Sequence, residues 1–171
     1  MIVSRYHDIS CGHVVSGHTG KCGNLHGHNY RIYFHCAGLV SGDGMVIDFA
    51  DIKSGLCGWL ESNWDHRFLV WDRDPIYADL KKIDGTVCGV PFNPTAENMA
   101  QYLIDVVGPM ALPSGITLQS VVVDETRKCS AVVSVQPGQD SAQGALKLRF
   151  KNGLLYCLNH GPVLDRRDHG K

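Results

Sequence analysis

The stretch His26-Gly27-His28-Asn29-Tyr30-Arg31-Ile32-Tyr33-Phe34-His35-Cys36 carries two patterns at once. From Tyr30 to Cys36 apolar and polar side chains alternate, which predicts a strand with one buried face. The pair His26 and His28 enters that strand, and residues i and i+2 of a strand point to the same side. The two imidazoles are therefore expected to converge, with Gly27 leaving space between them.

A third histidine, His13, lies at the end of the preceding predicted strand. Three neutral histidines that leave a fourth position open are typical of catalytic zinc sites. His13, His26 and His28 are therefore candidate Zn²⁺ ligands, with His18 as an alternative third ligand. Cys22, four residues before His26, has three interpretations: a fourth zinc ligand, a buried thiol, or a nucleophile or base whose thiolate the metal would favour.

Hydrophobic periodicity predicts four strands and two helices. The strands are residues 2–9, 30–36, 116–123 and 131–135, and the Gly- and His-rich segment 11–28 is predicted to be a long loop. One helix begins near Phe49, and a second begins near Asn93 or Thr95 and ends at Gly108-Pro109. The order ββααββ indicates an α+β fold, an antiparallel β-sheet with two helices on one face.

The composition changes near residue 136. Residues 1–135 hold the predicted α+β domain, whereas the following segment is richer in Gln, Gly, Ser and Asp. Within this C-terminal extension, residues 136–171, apolar runs at 145–150 and 154–158 flank Asn152-Gly153, which predicts a β-hairpin. The charged residues 165–171 are predicted to fray.

Composition also limits the function classes. The 171 residues carry 16 Lys+Arg and 17 Asp+Glu, a formal net charge of −1, which provides no overall basic field for nucleic acid. No apolar run approaches the roughly 18–20 residues that span a bilayer, and the N-terminus lacks the apolar core of a signal peptide. The seven cysteines form no C-x-x-C pair, which favours a reduced, cytoplasmic setting.

Two further motifs carry side chains suited to acid–base work. Asp65-His66 places a carboxylate beside an imidazole that it could orient and charge, although such a dipeptide is also common on surfaces. Asp124-Glu125-Thr126 ends the third predicted strand, where a carboxylate could accept two hydrogen bonds from an amino-heterocycle. A solvated strand end is the alternative interpretation of the second motif.

Five segments, in order along the chain, carry a resemblance to one family. Residues 22–30 contain the spacing C-x3-H-G-H, which resembles the signature of the 6-pyruvoyl-tetrahydropterin synthase / 6-carboxy-tetrahydropterin synthase family. Residues 44–49, 64–69, 93–98 and 121–126 resemble further motifs of that family. Each match is weak alone, but the ordered set is specific and spans residues 1 to about 135.

The resemblance implies a tunnelling fold (T-fold) subunit. In the family, three such subunits join their sheets into a barrel, and two trimers stack into a hexamer. Active sites then lie at subunit interfaces. This chain is accordingly expected to form a homo-oligomer, a trimer or a dimer of trimers.

The resemblance also implies roles for particular residues, carried over by position. His13, His26 and His28 would bind zinc, and Cys22 would be the catalytic thiol. Asp65 with His66 would form the relay that activates the thiol. Glu125 would anchor the pterin ring and join the proton relay, with Thr95 nearby.

The implied reaction converts 7,8-dihydroneopterin triphosphate into 6-carboxy-5,6,7,8-tetrahydropterin, acetaldehyde and triphosphate. Three residues between Cys22 and the His-Gly-His motif resemble the bacterial queuosine-pathway enzyme, and animal pyruvoyl enzymes have a longer gap. The alternatives are a 6-pyruvoyl-tetrahydropterin synthase and a non-catalytic T-fold pterin-binding protein. A zinc hydrolase or deaminase acting on a purine- or pterin-like ring is disfavoured, because the chain lacks the H-x-E with P-C-x-x-C and the H-E-x-x-H patterns.

Overall fold

A six-stranded mixed sheet with helices on one side forms the body of the protein. The computed structural model describes residues 1–135 and, beyond them, the backbone of residues 148–151, 154–157 and 161–163. The six strands of the sheet are β1 (Ile2–His13), β2 (His26–Ala37), β3 (Phe68–Trp71), β4 (Cys88–Val90), β5 (Thr117–Thr126) and β6 (Cys129–Ser134). Their order across the sheet is β4-β3-β1-β2-β5-β6.

The α+β class and the antiparallel pairing of the four predicted strands are confirmed. β1 pairs with β2, β2 with β5, and β5 with β6, each antiparallel. The sheet is nevertheless mixed, because β3 and β4 add parallel pairs next to β1. Neither strand is predicted from the sequence, since runs of four and three residues are too short to establish a period.

The predicted loop 11–28 is too long. Its two ends belong to the sheet, because Gly12 pairs with Gly27 and His13 pairs with His26 at the open end of the β1–β2 ladder. Glycine and histidine carry little strand signal, so backbone pairing extends both strands where side-chain pattern does not. The connection is thereby reduced to residues 14–25, with a 3₁₀ turn at Lys21–Gly23.

Two interrupted helices account for the predicted pair. The first contains α1 (Phe49–Ile52), a π-turn (Lys53–Cys57) and α2 (Gly58–Asn63). The second contains α4 (Ala96–Tyr102), a π-turn (Leu103–Val107) and α5 (Gly108–Ala111). A short helix, α3 (Tyr77–Ile83), lies between β3 and β4 and was not predicted.

The predicted helix end at Gly108-Pro109 is wrong, because the helix continues to Ala111. Pro109 sits in the first turn of α5, where a missing N–H is tolerated, and a wide π-turn precedes it. On the first helix, Ile52, Leu56 and Leu60 recur at helical spacing and are fully buried. Phe49, the first residue of α1, is half-exposed.

The two long helices pack on one face of the sheet, which we call the covered face. Alternate residues of each strand enter a single core there, such as Ile9 and Cys11 of β1 and Tyr30 and Ile32 of β2. The other side, which we call the open face, carries the intervening residues, such as Asn29. Side chains that alternate along a strand are therefore assigned to opposite sides of the molecule.

The C-terminal extension is described only in part. Strand β7 (Leu148–Lys151) pairs antiparallel with β8 (Leu154–Cys157), as expected for a hairpin, and β9 (Gly161–Val163) adds a third strand. The hairpin turn at 152–153, the start of the extension at 136 and the tail 165–171 lie outside the described residues. In the described part of the chain, no helix is long and apolar enough to cross a bilayer.

Candidate active site

Three histidines converge at one end of the covered face. His13 is the last residue of β1, and His26 and His28 open β2 on the same side of the ladder. One ring nitrogen from each lies within 4.8 Å of the other two, so the group could hold a metal ion. The convergence follows from strand geometry, because Gly12 and Gly27 carry the intervening positions without side chains.

The hydrogen bonds of the rings direct two unprotonated nitrogens inward. Since a carbonyl oxygen can only accept, the His13 Nδ1–H donates to Pro94 O at 2.6 Å, and the His26 Nδ1–H donates to Asn24 O at 2.8 Å. The two Nε2 atoms, 3.0 Å apart, therefore both present lone pairs. Two facing lone pairs repel each other unless a cation lies between them, so the arrangement fits a bound metal ion.

Two further observations fit a cation at this position. The Nε2 of His28 is buried and has no hydrogen-bond partner among the described residues. Burial lowers the pKa of His13, and the neighbouring imidazoles add to that effect. The ring therefore stays neutral near pH 7, which is the form that ligates metals.

Glu125 lies beside the histidines rather than at a solvated strand end. Its Oε1 is 3.6 Å from His13 Nε2 and 3.7 Å from His28 Nε2. The Tyr30 hydroxyl approaches the same carboxylate at 3.5 Å and His13 Nε2 at 3.2 Å. Tyr30 was interpreted only as a core residue; its place two residues after His28 on the same strand face was the signal that could have identified it.

Cys22 sits close to this group but is not part of it. It occupies the 3₁₀ turn Lys21–Gly23, and its carbonyl accepts the Val15 N–H at 2.9 Å. Burial raises the pKa of Tyr30, and nearby groups, Cys22 among them, raise it further, which places the sulfur within electrostatic reach of that hydroxyl. The metal-binding group contains three histidines without Cys22, which leaves the thiol available for chemistry.

His18, the alternative third ligand, is not brought into the group. It is exposed on the 14–25 connection, and its Nδ1 accepts the Gly20 N–H at 2.9 Å. The connection is clamped to the rest of the domain by Asn93, whose side chain exchanges two hydrogen bonds with the backbone of Ser16. His13 rather than His18 therefore completes the triad.

Asp65 and His66 form a dyad on the outer edge of β1. Asp65 Oδ2 lies 2.9 Å from His66 Nδ1, and Asp65 Oδ1 accepts the Ser10 N–H at 2.9 Å. The His66 N–H donates to Ser10 O at 2.7 Å, which holds His66 at φ 55, an unusual value for a residue other than glycine. Burial alone would raise the pKa of Asp65, but the hydrogen bonds from Ser10 and His66 bring it below its ordinary value.

The dyad lies at the edge of the sheet, beside residues of the open face. His66 lines a cleft of about 590 Å³ together with Ser10, Asn29 and Arg31, which belong to the open face. A second cleft of about 520 Å³ shares Ser10, Asn29 and His66 with the first and is also lined by His28. Cys22 lines neither cleft, and among the described residues no hydrogen bond or ion pair joins Asp65 or His66 to the Cys22 of the same chain.

Thr95 has a clear structural position. It is the N-cap of α4, and its Oγ1 accepts the Asn98 N–H at 3.3 Å. It follows Pro94, whose carbonyl orients His13. Thr95 is therefore the immediate neighbour of the residue that orients His13, and its hydroxyl hydrogen is not used by the cap.

Comparisons with known proteins agree with this geometry. The family described as 6-pyruvoyl tetrahydropterin synthase matches residues 2–136. A protein of Haemophilus influenzae named 6-carboxy-5,6,7,8-tetrahydropterin synthase is 34% identical over 112 residues, which cover 60% of this chain and 79% of that protein. A protein of the same name from Rickettsia typhi is 32% identical over 130 residues, covering 74% and 94%.

Solved structures show the same fold. An uncharacterized protein from Wolinella succinogenes superposes with a TM-score of 0.69 at 23% identity, over 80% of this chain and 98% of that one. The 6-pyruvoyl tetrahydropterin synthase of Caenorhabditis elegans gives a TM-score of 0.58 at 26% identity, over 80% and 96%. Because the family match covers residues 2–136, most of the chain, this chain belongs to the 6-pyruvoyl tetrahydropterin synthase family.

Proposed function

We propose that the chain is a zinc-dependent 6-carboxy-5,6,7,8-tetrahydropterin synthase acting on 7,8-dihydroneopterin triphosphate, with acetaldehyde and triphosphate as the other products. The observation that carries the proposal is the triad of inward-facing imidazole nitrogens with a carboxylate beside it. The choice of the carboxy product is supported by the relatives at 32–34% identity that carry that name. Queuosine-type deazaguanine synthesis is the pathway proposed to use it.

The roles of the covered-face residues follow from their chemistry. His13, His26 and His28 would hold the zinc ion, which when bound supplies Lewis-acid polarisation of the substrate's side-chain oxygens. Cys22, outside the ligand group, would remove a proton from the substrate side chain as a thiolate. Glu125 would accept the paired N–H groups of the pterin ring, since one carboxylate can accept two such bonds. The Thr95 hydroxyl hydrogen would be available to the substrate.

Asp65 and His66 would serve the metal site of another copy of the chain. They line a cleft with residues of the open face, and the Cys22 of their own chain does not line that cleft. Among the described residues, the outer edge of β6 is unpaired, and β1 pairs with β3 only at Gly12 and His13, which leaves residues 2–9 of that edge of β1 without a neighbouring strand. Such edges can pair with further strands, which supports a homo-oligomer, a trimer or a dimer of trimers, with composite sites.

The proposal is tested by incubating zinc-loaded protein with 7,8-dihydroneopterin triphosphate. Products are identified by mass spectrometry, and acetaldehyde is assayed in parallel. Carboxy-tetrahydropterin with acetaldehyde is expected. A pyruvoyl product without acetaldehyde would instead identify a 6-pyruvoyl-tetrahydropterin synthase, and no turnover by zinc-loaded protein would refute the synthase proposal.

Variants separate the two halves of the site. Cys22→Ala should abolish turnover while zinc stays bound; loss of zinc would make Cys22 a ligand. His66→Ala should also be inactive.

Co-expression of the two variants in mixed oligomers tests whether one site uses residues of two copies. If it does, about a quarter of wild-type activity should return, because random mixing places an intact Cys22 and an intact His66 in the same site one time in four. An inactive mixture that does form mixed oligomers would place the whole site in one chain.

A further inference from the structure

The Tyr30 hydroxyl is a polar group inside the site to which the proposed reaction assigns no role. The residue is fully buried, and a buried phenol hydroxyl requires an acceptor. Two acceptors are in reach, His13 Nε2 at 3.2 Å and Glu125 Oε1 at 3.5 Å. The hydroxyl has one hydrogen, so it can donate fully to only one of them at a time.

Metal occupancy decides which acceptor is available. His13 Nδ1–H donates to Pro94 O, which leaves the Nε2 lone pair as an acceptor when no cation is bound. A metal ion ligated by His13 uses that same lone pair. The Tyr30 hydrogen is then left with Glu125 Oε1 alone, and a hydrogen bond to a carboxylate is the stronger kind.

We propose that Tyr30 is a positioning residue that couples metal binding to the orientation of Glu125. When the triad holds a metal ion, the Tyr30 hydroxyl turns from His13 to Glu125 and fixes the carboxylate for the pterin ring. Without metal the carboxylate is held less firmly, because the hydroxyl bonds to His13. This inference rests on the proposed function, since it assigns the pterin ring to Glu125.

The position of Glu125 explains why a hydrogen bond from Tyr30 is needed. Its Oε1 lies 3.6 and 3.7 Å from two ligand nitrogens, which is close enough for the carboxylate to turn toward the metal itself. A carboxylate that bound the metal would fill the open position and leave the pterin without its acceptor. A hydrogen bond from Tyr30 to this same Oε1 uses one of its lone pairs and so competes with the metal for that oxygen.

The test measures binding rather than turnover. The probe is 6-methylpterin, which carries the pterin ring but no side-chain oxygen that could ligate zinc. Its affinity is measured by fluorescence for wild type and Tyr30→Phe, each with zinc and after chelation. Zinc should increase the affinity of wild type for 6-methylpterin. In Tyr30→Phe this zinc-dependent increase in affinity should be about tenfold smaller, which corresponds to about 1.4 kcal/mol of coupling.

Three comparisons keep the outcome interpretable. Zinc affinity of Tyr30→Phe should equal or exceed that of wild type, because a competing donor to His13 is removed. Tyr33→Phe, on the same strand but the open face, should retain the full zinc-dependent gain. In a Glu125→Ala background, which removes the acceptor of the Tyr30 hydrogen, Tyr30→Phe should cause no further loss of the zinc-dependent gain.

Failure of this inference and failure of the proposed function give different results. If zinc-loaded wild type does not bind the probe, the pterin site itself is refuted. If wild type binds with a zinc-dependent gain and Tyr30→Phe keeps that gain, the coupling is refuted and the proposed function stands. If Tyr30→Phe instead loses zinc, Tyr30 supports the metal site and the assigned switch is wrong.

Discussion

Replacing His28 by alanine should remove the stabilisation that zinc gives to this protein and leave the zinc-free protein almost unchanged. The His28 Nε2 has no hydrogen-bond partner among the described residues, although Glu125 Oε1 lies 3.7 Å away, and the His28 side chain is 21% exposed. Its loss in the absence of metal should therefore cost less than about 1 kcal/mol. His13 would be a poorer choice, because its Nδ1 also bonds Pro94 O.

The expected magnitude follows from linkage. A free zinc concentration one hundred times the Kd stabilises the folded state by about 2.7 kcal/mol. A domain of about 135 residues unfolds with an entropy near 0.28 kcal/mol/K, at about 2.1 cal/mol/K per residue. Zinc should therefore raise the Tm of wild type by about 10 °C.

The variant should lose most of that shift. Altering a partner of a metal ligand typically costs about 10- to 100-fold in affinity, so loss of a ligand should cost at least about 100-fold. At the same free zinc, His28→Ala would then gain about 0.4 kcal/mol, or about 1.5 °C. Differential scanning fluorimetry in a zinc buffer, at fixed protein concentration, measures both shifts.

His18→Ala is the matched control. His18 is an exposed histidine of the 14–25 connection whose Nδ1 bonds Gly20 rather than the triad. This variant should retain the full shift. A His28→Ala protein that keeps the 10 °C increase, or a His18→Ala protein that loses it, would show that the triad does not hold the metal.

Three further variants test the dyad, the thiol loop and the helix cap. Asp65→Asn should lower the free energy of unfolding by about 1 kcal/mol at neutral pH. Because folding lowers the pKa of Asp65, its carboxylate stabilises the protein above the unfolded pKa, and this stabilisation is lost as pH falls through the folded pKa. Urea unfolding should therefore show that the stability difference between wild type and Asp65→Asn vanishes in acid. Gly23→Ala places a Cβ 2.1 Å from His18 O, and this clash must displace the loop that carries Cys22. We expect turnover to fall about ten- to a hundredfold while the zinc-induced Tm shift stays unchanged. Unaltered turnover would contradict this expectation. Thr95→Ala should lower the free energy of unfolding, measured in urea, by about 1 kcal/mol, and Thr95→Ser should keep the wild-type value, since either hydroxyl can cap α4. Equal stability of wild type and both variants would argue against the cap.

Local patterns predicted the parts of the fold that repeat along the chain. The alternation from Tyr30 to Cys36 appears as the buried stripe of β2, and Ile52, Leu56 and Leu60 line the first helix. Each of these two patterns is the hydrophobic periodicity of a single strand or helix, so residues that are close in sequence are enough to encode it. The short strands β3 and β4 could not be predicted, because their three or four residues hold less than one informative repeat.

The paired histidines show how far the sequence alone reaches. The i, i+2 spacing of His26 and His28 is sufficient to converge two imidazoles, because strand geometry is local. The third ligand could not be chosen between His13 and His18, since the answer depends on the β1–β2 register that opposes His13 to His26. Only pairing of the two strands decides it.

The sequence by itself determined the α+β class, the family resemblance and the residue types available for chemistry, because these depend on composition, period and spacing. Only the tertiary structure decided that Glu125 meets Tyr30 across 95 residues and that Pro94 orients His13 across 81. It also decided that Asp65 and His66 line a cleft together with residues of the open face. Contacts between distant residues are set by packing and strand register, which no local pattern encodes.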